Sequence, residues 1–124
     1  MKKILYSANA PEPIGPYSQA VEIGNFIFTS GQIALDTNGM IVSGDIKQQT
    51  KKVINNLKSI LEDNEASLDN VIKTTVFLQD MNDFSSMNEV YSEYFGNTMP
   101  ARSTVQVAKL PKDVKVAIEV IAYK

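Results

Sequence analysis

Seven residues between positions 46 and 61 set the first constraint on how this chain can fold. Ile46, Thr50, Val53, Ile54, Leu57, Ile60 and Leu61 recur at helical spacing and form one stripe. A helix striped on one side has to lay that side on a second layer. Asp45 with Gln48 three residues on is the pattern of a capping box, so the helix is predicted from about Ile46 to Asp63, with Asn64 suited to the left-handed position that ends it.

Around this helix the pattern has period two. Lys3–Tyr6 reads as a short strand, the proline-rich stretch 10–16 as a rigid loop, and Tyr17–Ile23 as extended chain. Gly24-Asn25 is a tight turn, and Phe26–Gly31 completes a hairpin. A second turn, Asp36-Thr37-Asn38-Gly39, lies between Ile33–Leu35 and Met40–Val42. Val71–Gln79 is a β-branched strand, after which Asp80 or Asp83 caps a second helix ending at Gly96. Its Phe84, Met87, Tyr91, Tyr94 and Phe95 read as core packing. Then come a strand after Pro100, the turn Leu110-Pro111-Lys112-Asp113, and a last strand from Val114 to Tyr123. Residues 1–124 are therefore expected to form a single α+β domain, a six-stranded mixed sheet with two helices on one face.

Two helices cover one side of such a sheet. Val116, Ile118, Val120 and Ala122 form the apolar side of the last strand and are assigned to the helices, with Ile72, Val76 and Leu78 of the middle strand. The other side is assigned Lys115, Ala117, Glu119, Ile121 and Tyr123, then Lys73, Thr75 and Phe77, then Arg102, Thr104 and Gln106. That face is too apolar for free solvent and too polar for a dry core, which predicts a closed homo-oligomer with wet clefts between subunits.

Composition narrows the chemistry. The chain has no cysteine and no histidine, which removes disulfides, thiolate nucleophiles, imidazole bases and thiolate or imidazole metal ligands. Acid and base work falls to carboxylates, tyrosines, lysines or bound water. A net charge of −2 offers no electrostatic footprint for nucleic acid. No apolar run approaches the roughly 18 residues of a membrane span, and Met1–Tyr6 lacks the apolar segment of a secretory signal, so a cytoplasmic location is expected.

Arg102 is the only arginine. Its guanidinium is a flat fork that pairs two-pronged with a carboxylate, which lysine cannot copy. The plain alternative is a surface arginine in an ion pair.

Taken together, Asn9-Ala10-Pro11, Ile14 to Gln19, Thr29 to Ile33, Val71 to Phe77, Asp80 to Phe84, Asn88 to Tyr91, Pro100 to Ser103 and Leu110 to Asp113 resemble the RidA/YjgF/YER057c family, also called L-PSP endoribonuclease. The resemblance spans nearly the whole chain. It implies a chorismate-mutase-like fold, a homotrimer around a central barrel with three intersubunit clefts, and a 2-iminobutanoate/2-iminopropanoate deaminase. Such an enzyme hydrolyses enamines and imines such as 2-aminoacrylate, released by pyridoxal-phosphate-dependent dehydratases, to 2-keto acids and ammonia without a metal or organic cofactor.

By the same resemblance, Arg102 clamps the substrate carboxylate, and Tyr17, Ser30, Gly31 and Asn88 line the cleft. Thr104 stands where the family often has cysteine. The glutamate that positions water in the family falls on Ala117, and a second survives as Glu119, two residues along the same strand face. Glu119 is then the candidate to orient water and Tyr17 to relay a proton, while Ser30 and Asn88 order water or ligand. For Gly31 a backbone bend is the competing role. The alternatives are a non-catalytic small-carboxylate-binding or chaperone-like module and an endoribonuclease. The missing histidine and the acidic charge disfavour the latter.

Overall fold

A computed structural model describes residues 1–124. Six strands form one sheet: β1 (Lys3–Leu5), β2 (Ala20–Ile23), β3 (Phe26–Thr29), β4 (Val71–Leu78), β5 (Ala101–Gln106) and β6 (Val116–Tyr123). The sheet order is β1-β2-β3-β6-β4-β5. Helices α1 (Ile46–Glu62) and α2 (Phe84–Phe95) pack on one face. All neighbours are antiparallel except β4 and β5, which are parallel and joined through α2, the crossover that a parallel pair requires.

Helix α1 starts at the predicted capping box, with the Gln48 amide N–H donating to Asp45 and the Asp45 N–H donating to Gln48 Oε1. Its stripe is the heart of the core: Val53, Ile54, Leu57, Ile60 and Leu61 are fully buried, each contributing about 1.5–3 kcal/mol of burial. They meet Val76 and Leu78 of β4 and Val116, Ile118, Val120 and Ala122 of β6. The left-handed residue beyond the helix is Glu65 rather than Asn64. Asn64 instead ties down the helix end through its side chain, donating to the Ile60 and Tyr6 carbonyls.

Two assignments of side are corrected. Ile72 is exposed, because an irregularity between Val71 and Lys73 shifts the register; Val71, Thr74, Val76 and Leu78 face the helices. Arg102, Thr104 and Gln106 also lie on the helix side, since β5 runs parallel to β4 with Arg102 opposite Thr74 and Thr104 opposite Val76. Alternation separates the two sides of a strand but does not label them. On this edge strand the apolar Val105 is the residue turned outward, 44% exposed.

The uncovered face carries Phe26, Phe28 and Tyr123, all partly exposed. Phe26 meets Tyr123 edge-on at 5.0 Å between ring centroids and Phe28 at 6.2 Å. Their register neighbours Ile23, Val21 and Ile121 extend the apolar patch. No helix of the chain is long and apolar enough to cross a membrane.

Candidate active site

The chain's only arginine sits at the outer edge of the sheet, and helix α2 brings three residues to it. Phe84, Asn88 and Tyr91 lie four and then three positions apart, so they share one helix face. Arg102 Nη1 donates to Asn88 Oδ1 at 2.7 Å. Its guanidinium carbon lies 4.6 Å from the Tyr91 ring centroid and 5.4 Å from that of Phe84, within the range of a cation–π attraction. The Tyr91 and Thr74 hydroxyls share a buried hydrogen bond of 2.7 Å. Burial pushes the Tyr91 phenol up, against the opposing effects of the Thr74 bond and the Arg102 charge, so it is neutral at ordinary pH.

No carboxylate of the chain pairs with Arg102. The three ion pairs are Lys47–Glu89, Lys109–Asp113 and Lys124–Glu22, so the plain reading of a surface ion pair fails. A guanidinium has five donors, and Asn88 takes one. The group opens on a hollow of about 460 Å³ bounded by Asn88, Tyr91, Phe95, Met99 and Pro100, among others. Met99 adopts a left-handed backbone (φ 47°) at its rim, a conformation that is uncommon for a side-chain-bearing residue. Two residues along, the Thr104 hydroxyl is buried with no hydrogen-bond partner.

Tyr17, Ser30 and Gly31 gather at another place, where the chain enters β2 and leaves β3. Gln19 builds this corner: it is buried, accepts from the Ser7 amide, and donates to the Ser7 and Pro11 carbonyls, so the proline loop is sewn to the strand entrance. Ser30 Oγ donates to the Ser18 carbonyl at 2.6 Å. Tyr17 is 52% exposed, and its hydroxyl accepts from the Ile14 amide at 3.3 Å. Tyr17 lines two adjoining hollows, one with Gly31, Gln32, Pro111 and Lys112 and the other with Ser30, Val21 and Phe28. Gly31 has no left-handed backbone, and a Cβ added there would meet nothing within 4 Å. A backbone bend therefore does not explain that glycine.

These two groups do not meet in one chain. β3 and β5 are three strand spacings apart, about 14 Å. Glu119 is exposed on the uncovered face, paired in register with Thr75, and forms no ion pair with Lys73 or Lys115. Lys73 donates to Ser103 instead. Ala117, on the same side of β6, is buried in a small apolar cluster with Leu110 and Val114, against which Ile33, Phe77 and Val107 pack.

Sequence reasoning missed the Tyr91–Thr74 pair and the role of Phe84 against Arg102. The spacing of positions 84, 88 and 91 was the available signal, and it was absorbed into the reading of a core stripe.

One chain thus holds two separate groups, a cation with free donors and a tyrosine–serine–glycine corner, and it has neither thiol nor imidazole. Such groups suit binding a small organic anion and steering water more than attacking a substrate covalently. Comparison with known proteins agrees with a small domain of established type. Residues 7–124 match the family model described as Endoribonuclease L-PSP. A RutC family protein of Pyrococcus abyssi is 60% identical over 99% of this chain and 98% of its own length. The mouse 2-iminobutanoate/2-iminopropanoate deaminase is 45% identical over 98% of this chain and 91% of its own length. The crystal structure of E. coli TdcF with bound serine superposes with a TM-score of 0.93 at 45% identity, covering 98% of each chain. With the family model matched over nearly its full length and the fold shared with solved relatives, the chain belongs to the L-PSP family, the family of RidA and YjgF.

Proposed function

We propose that this protein hydrolyses reactive 2-imino acids, and their 2-enamine tautomers such as 2-aminoacrylate, to 2-keto acids and ammonia. The observation that carries the reading is Arg102: a half-buried guanidinium braced by two aromatic rings and Asn88, with no carboxylate of its own chain to neutralise it. A 2-imino acid presents a carboxylate beside an electrophilic C=N carbon. The mouse relative is named for this chemistry, and the serine held by the E. coli relative carries the same carboxylate head.

In the proposed reaction Arg102 grips the carboxylate with two charge-assisted bonds, and proton transfer to the imine nitrogen makes the carbon more electrophilic. Water adds to that carbon while the C=N π pair moves to nitrogen. The added water gives up a proton to leave a carbinolamine, whose nitrogen takes up a proton; the C–N bond then breaks with its electron pair leaving on ammonia, and the hydroxyl proton is lost as the C=O bond forms. The substrate is already unstable in water, so orientation and proton placement suffice. Tyr17 is the proton relay, Ser30, Asn88 and the Gly31 backbone order ligand and water, Thr104 lines the cleft, and Glu119 aims the water.

These roles require the two partial sites to come from neighbouring copies. A patch at one end of the sheet meeting a different patch at the other is a head-to-tail contact, which closes into a ring when the rotation between copies is a whole fraction of a turn, here a third of a turn in a homotrimer. The exposed aromatic face around Phe26, Phe28 and Tyr123 supplies apolar area for it.

The test is a coupled assay: a pyridoxal-phosphate-dependent dehydratase generates 2-aminoacrylate from serine, and pyruvate formation is followed with and without this protein. Acceleration is expected, and an unchanged rate refutes the proposal. One observation favours a second reading. Ala117 places a methyl among apolar neighbours where the family pattern has a carboxylate, so a protein that binds 2-keto acids without accelerating pyruvate formation is a carboxylate-binding module. RNA incubated with the protein at varied salt tests the nuclease activity named in the family description.

A further inference from the structure

Arg102, Thr74 and Tyr91 form a closed triangle. Thr74 is the residue directly opposite Arg102 in the β4–β5 ladder. Its hydroxyl holds the Tyr91 hydroxyl at 2.7 Å, and the Tyr91 ring lies against the Arg102 guanidinium at 4.6 Å. Thr74 is fully buried and Tyr91 nearly so, at 7% exposed. A threonine in a β-branched strand facing the core is otherwise a costly choice, since valine has the same shape without a hydroxyl to satisfy. Here the hydroxyl fixes how far the Tyr91 ring swings toward the edge of the sheet. The ring in turn fixes where the cation sits, because a long side chain on an edge strand has many competing rotamers.

We propose that Tyr91, pinned by Thr74, is a positioning residue that holds Arg102 in the orientation that grips the substrate carboxylate. The proposal rests on the reading of Arg102 as the carboxylate anchor. Asn88 fixes one nitrogen of the guanidinium and the Tyr91 ring limits its tilt, so the remaining donors are presented before the ligand arrives. Preorganisation of this kind lowers the cost of binding and leaves the bond-making step untouched. Its loss therefore appears in KM and ligand affinity more than in kcat.

The experiment exploits Arg102 being the only arginine in the chain. In a ¹⁵N-labelled full-length protein, the arginine Nε–Hε signal is a single resonance that needs no assignment, and an aromatic ring facing the guanidinium displaces it upfield. The probe is 2-oxobutanoate, titrated into the unaltered protein and into Thr74→Val, Thr74→Ser, Tyr91→Phe and Tyr91→Leu, with KM and kcat measured alongside.

The expected result is a displaced signal in the unaltered protein that moves on titration. Thr74→Val and Tyr91→Phe should weaken 2-oxobutanoate binding and raise KM by about 3- to 10-fold with kcat within about twofold, and Tyr91→Leu should do more and lose the ring displacement. Thr74→Ser, which restores the hydroxyl, should recover affinity. Combining Thr74→Val with Tyr91→Phe should cost no more than the worse single change, because one device is removed twice. If the unaltered protein binds 2-oxobutanoate and all variants bind it equally, the positioning role is wrong while the anchor stands. If the signal in the unaltered protein does not move and nothing is turned over, the anchor and its positioning residue are both wrong.

Discussion

At the β5 end of the sheet Arg102 is held by Asn88, by two rings and, through Tyr91, by its ladder partner Thr74, all from one chain. At the β2–β3 end Tyr17 is half exposed, its hydroxyl touched only by a backbone amide, and Gly31 leaves space beside it. One end is a cation already oriented within its own chain, and the other is an open wall of loop and strand residues. The difference teaches that in this fold the lone guanidinium is placed by the core, where α2 already packs. The Tyr17 corner is built by loops, which the proline segment and Gln19 hold in place without covering.

The most severe way to break this contrast is Arg102→Ala. Two charge-assisted hydrogen bonds contribute about 1.5–3 kcal/mol each, so kcat/KM for a 2-imino acid should fall by at least ~100-fold. The melting temperature and elution volume should stay close to those of the unaltered protein. Arg102→Lys keeps the charge but not the fork, and should recover only part of the loss. Retained turnover in the alanine variant refutes the anchor outright.

Phe28→Asp tests whether the loose end is completed by a second copy. It places a charge on the apolar patch shared with Phe26 and Ile121, and a buried unpaired charge in an interface costs several kcal/mol. Light scattering should then show dissociation to monomers with the fold retained, and turnover should fall with the oligomer. A fully active monomer would mean that one chain carries a whole site, which would overturn the division into halves.

How much of this was legible in the sequence depended on whether a residue's pattern had one physical meaning or two. The α1 stripe and its Asp45–Gln48 capping box had one meaning, and both form where the spacing put them. The β5 alternation had two, since Arg102–Ser103–Thr104–Val105 separates sides without saying which one α2 covers. Only the parallel register with Thr74 and Val76 decides that. Ile72 misled because an irregularity beside Val71 breaks period two without a glycine or proline to announce it. Tyr91 hid for a similar reason, as a ring buried in the core and a ring stacked on a cation have the same helical spacing. The absence of thiol and imidazole chemistry, by contrast, was plain from the residue list.

Glu119 sharpens the comparison more gently. It shares the uncovered side of β6 with Ala117, two residues and ~6.5 Å apart, and no lysine pairs with it. If it aims water at the imine carbon, Glu119→Gln should lower kcat by about 10-fold, less than the roughly 100- to 10,000-fold of a group that itself transfers the proton, since glutamine keeps an oxygen that can accept from water. KM should change little, since Arg102 still carries binding. A steady-state comparison in which kcat is unchanged would remove Glu119 from the reaction and leave the Tyr17 corner to place the water.

The smallest effect concerns acid. The loop-built end is tied to the rest of the fold by carboxylates: Glu22 of β2 pairs with Lys124 at 2.8 Å, and Asp63 at the end of α1 accepts from Ser7 and Asn9. The Lys124 bond holds Glu22 below the ordinary carboxylate value, and the Ser7 and Asn9 bonds do the same for Asp63. A carboxyl lowered in the folded state binds its proton more readily when unfolded, so each contributes stability that is complete above its ordinary value and lost as pH falls through the lowered one. The Arg102 end is held by the Asn88 hydrogen bond and two ring contacts rather than by a carboxylate. Melting temperature followed from pH 7 downward should therefore hold level and then drop below about pH 4.5, the ordinary glutamate value. Glu22→Gln should start lower and lose part of that slope, while Asn88→Ala, at the anchor end, should leave the slope as it is. Equal slopes in the unaltered protein and Glu22→Gln would mean that the loop-built end is not held by its charges, and that the Gln19 hydrogen bonds alone keep the corner in place.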